Sequence, residues 1–238
     1  FYTTPFSVTL ATETKNAVIY YTLDGSEPYQ VSARGKPSGS VYTAPVTINK
    51  TTCLRAKAIK PGWKPSDIKT NTYIMNASEA IRSLPVISLV GDEGKTFYEP
   101  DGVMAIVGGS YGSDGQWVAS GTNSYNNPIH RGMAYERPVS FELIKPEDNS
   151  GFQINCGIRV HGSEYIRPRY RRSDGLWTGD AKFSFRLYFR DRYGSGWLEY
   201  PLFPFEVERF KSIVLRGGHN DRVNPFIKDE LIRRLHID

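Results

Sequence analysis

Nine lysine and arginine side chains fall within 34 positions of one another, at Arg159, Arg167, Arg169, Arg171, Arg172, Lys182, Arg186, Arg190 and Arg192. In a strand, successive side chains point to opposite faces. Alternation therefore places Lys182, Ser184, Arg186, Tyr188 and Arg190 on one face, and Phe183, Phe185, Leu187 and Phe189 on the other. The second face is apolar and suits a core. The first aligns a lysine with two arginines, an arrangement fitted to phosphate oxygens. A guanidinium grips two oxygens at once, and an ammonium acts as a point charge. The same face also reads as a solvated one, with its cations paired to Asp180, Asp191 or Glu199.

Other chemistry-bearing patterns are sparser. Gly157-Ile-Arg-Val-His-Gly162, followed by Ser163, is too short and irregular for a dinucleotide fingerprint. Gly162 and Ser163 either offer backbone N–H groups to a phosphate, as nests do, or simply close a strand. In Arg216-Gly-Gly-His-Asn-Asp221 the paired glycines allow close backbone approach, Asn220 or Asp221 can hold the loop, and His219 reads as structural. The chain has no G-x-S-x-G and no H-E-x-x-H, so no hydrolase signature is present. Asp92-Glu93 sits in turn-like sequence. Cys53 and Cys156 have neither zinc nor redox spacing and read as two buried free thiols.

The elements that must carry these residues are mostly strands. Alternating or β-branched runs at 6–10, 17–23, 46–48, 52–59 and 70–74 are separated by turns, among them Asp24-Gly-Ser-Glu-Pro28. Short strands at such spacing predict a small β-sandwich over residues 1–75. Residues 76–84 form a polar bridge with room for one helical turn. A second domain over 85–238 opens on a strand at 85–90. Residues 91–135, rich in Gly, Asn, Ser and Tyr, predict long loops around a brief strand at 103–107. A hairpin follows, with strands at 137–144 and 152–160, and further strands are expected at 183–189 and 212–215. One amphipathic helix is expected at 225–235, with Asn224 as cap, Pro225 at its first position, and Phe226, Leu231 and Leu235 on its apolar face.

Composition bounds the function classes. Hydrophobic residues at 39% and charged residues at 23% suit an ordinary globular protein. No apolar run approaches the roughly 18 residues a membrane helix needs. The net charge of +5 is contributed by residues 1–76, where nine basic residues face four acidic ones, and the remainder balances. That density argues against a nucleic-acid partner.

Two resemblances sharpen the reading. The segments GIRVHGS, AKFSFRLYFRDRYG, FKSIVLRGGHND and PFIKDELIRRL resemble the opening half of the spore-coat-protein-H (CotH) kinase family, patterned as G-I-R-x-x-G, K-x-S-F-R-L-x-F, a strand ending near N-D, and a helix. YYTLDGSEP and TTCLRAKAIKPGWKPSD resemble the C-terminal module of chitobiases and β-hexosaminidases, which is immunoglobulin-like and carries no catalytic carboxylates. The fold class so implied is mainly β, an immunoglobulin-like sandwich followed by an α+β kinase-like part of antiparallel sheet and one C-terminal helix.

The CotH resemblance implies nucleotide-binding roles for Lys182, Arg186, Gly162 and Ser163, with Glu230 as the helix partner of the lysine. A basic residue that often follows the lysine in that family is Phe183 here, which suits the core-facing side. The resemblance also implies ATP and Mg or Mn as cofactors, and a secreted or coat protein as substrate. It places the protein outside the cell or at the surface of a bacterium, and the acidic catalytic motif beyond Asp238, which makes the chain an inactive fragment of a larger protein. The rival expectation is a non-enzymatic extracellular scaffold that binds polysaccharide or protein through aromatic side chains such as Trp63, Trp117, Trp177 and Trp197.

Overall fold

Period-two burial builds the first unit. The computed structural model describes residues 1–29, 38–164, 167–169, 183–203 and 207–217. Among the described residues of 1–75, six strands arise: β1 (Phe6–Val8), β2 (Val18–Thr22), β3 (Ser40–Val41), β4 (Val46–Ile48), β5 (Thr52–Ile59) and β6 (Lys69–Tyr73). One antiparallel sheet runs in the order β3-β2-β5-β6, and β1 pairs with β4 as a second. In β4, Val46 and Ile48 are buried while Thr47 is exposed. They cluster with Met75, Tyr2, Phe6, Val8, Tyr21, Tyr42 and Tyr73. Asp24 fixes the turn after β2 by accepting from the Ser26 amide at 3.0 Å and its hydroxyl at 2.6 Å. Gly25 there has φ +84°, a left-handed conformation that favours glycine.

The polar bridge contains the expected helical turn, α1 (Glu79–Arg82). Beyond it, β7 (Val86–Val90), β12 (Arg137–Ile144), β13 (Gly151–His161), β14 (Ser184–Tyr188) and β17 (Ser212–Leu215) form one sheet, ordered β17-β14-β13-β12-β7 and antiparallel at every pairing. Three two-stranded ladders surround it. β8 (Ile106–Val107) pairs with β11 (Tyr125–Asn126), β9 (Ser110–Tyr111) with β10 (Trp117–Val118), and β15 (Leu198–Glu199) with β16 (Arg209–Phe210). The architecture is mainly β, with antiparallel sheets and few short helices.

The five-stranded sheet has one apolar face. Val139, Phe141, Cys156, Ile158, Val160, Leu187 and Phe189 pack there at 3% exposure or less. The strand expected at 103–107 shrinks to Ile106–Val107. Val103, Met104 and Ile106 instead enter this core. Residues 91–135 are thus anchored from beneath, with the Thr96 hydroxyl donating to the Pro138 carbonyl at 2.9 Å. Cys53 and Cys156 are both free thiols; Cys156 is fully buried, whereas Cys53 is only half-buried. The helix expected at 225–235 lies outside the described residues.

Candidate anion site on the polar face of the sheet

The register of β13 against β14 sets Arg159 directly opposite Arg186, and His161 opposite Ser184. These four residues share the face turned away from the apolar core. Like charges directly opposite each other destabilise a sheet unless something compensates. Arg159 finds its compensation locally. One amino group donates to the Tyr188 hydroxyl, the other to the Gly132 carbonyl at 3.2 Å, and the guanidinium lies 5.1 Å from the Tyr188 ring centre.

Arg190 packs on the same ring at 5.0 Å. Its fork closes on Glu136 through two hydrogen bonds of 3.0 Å each. The Glu136 side chain is only 1% exposed, and the bond to it holds the Arg190 guanidinium above its usual pKa. The expected pairing of the basic face with Asp191 or Glu199 is replaced by this one, since Glu199 bonds Arg209 at 3.1 Å instead. Asp180 lies outside the described residues.

Arg186 differs from both neighbours. It is half-buried, its Nε is shielded from solvent, and that atom has no hydrogen-bond partner among the described residues. Beside it His161 is held below its usual pKa, first by burial and then by the guanidiniums of Arg186, Arg159, Arg167 and Arg131. His130 is lowered by burial and by Arg167, and it stacks on Tyr135 at 4.3 Å. Imidazoles lowered by burial and by surrounding guanidiniums mark a region of positive potential that an anion would relieve.

Two of the predicted loop residues, Gly162 and Ser163, come to the same end of the sheet, because they continue β13 past His161. Ser163 is exposed, and its carbonyl accepts from the Arg167 amide at 3.1 Å. Arg167 is 3% exposed and also donates to the carbonyls of Ile129 at 2.8 Å and His130 at 3.3 Å. It is therefore a clamp holding two loops together. Lys182 and Glu230, the other predicted nucleotide ligands, lie outside the described residues, as do His219, Asn220 and Asp221.

Arg131, His130 and His161 escaped the sequence reading. The alternation that groups Arg159 with His161 on β13 was legible, but the cross-strand register that sets them against Arg186 and Ser184 was not. Arg131 and His130 sit in a loop with no periodicity to place them.

The arrangement can bind an anion: Arg159 and Arg186 face each other on one side of the sheet, and Arg186 Nε has no hydrogen-bond partner among the described residues. It does not fit a metal: among the described residues no group of three or more His, Cys, Asp or Glu could hold one. The opposite face carries a cavity of about 1090 Å³ lined by Phe141, Leu143, Phe183, Phe185, Phe203 and Leu215, with Lys145 and Arg216 at its rim. Phe185, expected in the core, is only half-buried because it lines this cavity. Of the aromatic platform expected for sugars, Trp63 is 64% exposed with the Lys60 ammonium 4.4 Å from its ring centre. Trp197 is covered by Arg209 and Lys211, Trp117 donates to the Gly108 carbonyl, and Trp177 lies outside the described residues.

A turn closed by Asp24, a strand through Cys53 and Arg55, and two packed sheets together place the N-terminal unit. Residues 1–70 match the family of the chitobiase/β-hexosaminidase C-terminal domain. The immunoglobulin-like module expected at the N-terminus is similar to that domain over these residues. No curated protein and no solved structure matches the chain.

Proposed function

We propose that this chain joins a chitobiase-type module to the phosphate-holding sheet of a CotH-like kinase domain, within a secreted or cell-surface protein. The observation that carries the reading is Arg186, a guanidinium whose Nε has no hydrogen-bond partner among the described residues, on a strand whose sequence follows the K-x-S-F-R-L pattern. Arg159 stands opposite, and Gly162 and Ser163 lie at the same end of the sheet. Each of these groups can bind and orient a phosphate, by bidentate hydrogen bonds from arginine or by backbone N–H groups. ATP would supply the transferable phosphoryl group. Transfer also needs metal-binding acids and a residue that positions the acceptor hydroxyl. Among the described residues no cluster of acids is placed to hold a metal, so the reading gives these residues nucleotide binding rather than transfer.

Incubation with labelled ATP, Mn²⁺ and secreted proteins tests the assignment, with the chain alone and with the chain joined to an acid-bearing continuation. The expected result is label on protein only in the second case, lost on Arg186→Ala. Transfer by the chain alone, or label that survives Arg186→Ala, would overturn it.

A second reading rests on Trp63, whose exposed ring and neighbouring Lys60 suit stacking against a sugar. Retention on an insoluble polysaccharide that is lost on Trp63→Ala would favour it.

A further inference from the structure

β6 is an edge strand, so the backbone groups along its outer side have no strand partner. Side chains from the polar face of the five-stranded sheet take that place. Asn155 donates to the Ile68 carbonyl at 2.8 Å. Gln153 steadies it, donating to Asn155 Oδ1 at 3.0 Å and Ser140 Oγ at 2.9 Å. Glu142 Oε1 accepts the Thr72 amide at 2.9 Å, and its Oε2 contacts the Thr72 hydroxyl closely. That hydroxyl also meets Ser88 Oγ at 2.8 Å. Strand register explains the gathering, because Glu142 lies between Ser88 on β7 and Gln153 on β13.

Glu142 is 4% exposed, and no ion pair among the described residues reaches it. Burial pushes its carboxyl above the usual carboxylate range, against the lowering effect of the bonds from Thr72 and Ser88. Lys69 and the Phe1 amino group line the cleft of about 340 Å³ beside it. Tyr73 on β6 and Cys53 on β5 face it as neutral groups whose own pKa values it helps to raise. β7 and β13 present uncharged Ser88, Gln153 and Asn155.

Both protonation states can be hydrogen-bonded by the same atoms. The ionised carboxylate accepts both Thr72 donors, and Ser88 donates to the Thr72 hydroxyl. The protonated acid donates from Oε2 to that hydroxyl, which turns its hydrogen to Ser88. What separates the states is the cost of keeping a charge in the closed joint. We propose that Glu142 is a proton-operated latch, tightening the joint between the N-terminal module and the five-stranded sheet as the medium turns acid.

The sign follows from linkage. The carboxyl holds its proton more strongly in the closed joint than in the open one, so closure takes up a proton in the window between the two pKa values. Across that window closure tightens by up to about tenfold for each pH unit lowered, and it levels off on either side.

Hydrogen exchange at the Thr72 amide, in the full chain and corrected for intrinsic rates, reads the joint directly. Protection should rise from pH 8 to pH 5. Glu142→Gln reproduces the neutral pattern, with an amide oxygen for the Thr72 N–H and an amide donor for its hydroxyl, and should show the high protection at both values. Equal protection of the unmodified chain at both values would overturn the latch. So would Glu142→Gln falling below it at pH 8.

Discussion

Arg159, Arg186 and Arg190 carry the same charge on the same sheet face, yet their surroundings give them different work. Arg190 is committed to Glu136 and Arg159 to Tyr188, whereas Arg186 Nε has no hydrogen-bond partner among the described residues. The sequence made the three visible as a basic face. It could not rank them, because the partners come from 29 to 54 positions away. Asn126 shows the opposite situation. It is fully buried, and neither atom of its amide has a partner among the described residues. A buried amide left unpaired costs about 1–3 kcal/mol. Asn126→Leu should therefore raise the unfolding midpoint in a thermal melt, and a lowered midpoint would show that the amide is satisfied by an ordered water.

At the scale of elements, the sequence was most legible where one face is apolar. β5, β12 and β17 have the bounds that alternation indicates, at Thr52–Ile59, Arg137–Ile144 and Ser212–Leu215. The two-residue ladders from β8 to β11 and the turn at Glu93–Phe97 were not legible, since so short an element shows no period. That turn depends on tertiary fit. Gly91 has no room for a side chain, because an added Cβ would lie 2.5 Å from the Thr96 hydroxyl. β14 offers a direct comparison of faces. Phe189→Ala, just past its end, should cost about 3–5 kcal/mol in denaturant unfolding, as expected for a buried aromatic. Ser184→Ala, on the polar face, should cost no more than about 1 kcal/mol, the worth of its bond from the Gly217 amide. Similar losses from both would contradict the assignment of faces.

At the scale of the molecule, a polar bridge over residues 76–84 was readable in the sequence, but the joint was not. Thr72, Ser88 and Glu142 lie in three separate strands, and only the folded register brings them together. The joint couples the units, so the intact chain should unfold in a single transition. An excised 1–75 segment should still melt cooperatively, at a lower temperature, because the edge of β6 loses its partners. Two resolved transitions in the intact chain would count against the coupling, and a broad melt of the segment would count against the boundary.

The central claim is that Arg186 and its neighbours form a phosphate site. Calorimetric titration of ATP into the chain at low salt tests it most directly, with Lys60→Ala as a control that removes the same charge from the N-terminal module. The account predicts saturable binding that is unchanged in Lys60→Ala and weakened about tenfold or more in Arg186→Ala, the equivalent of one lost charge-assisted hydrogen bond. Equal affinity in all three proteins, or no binding to any, would contradict it.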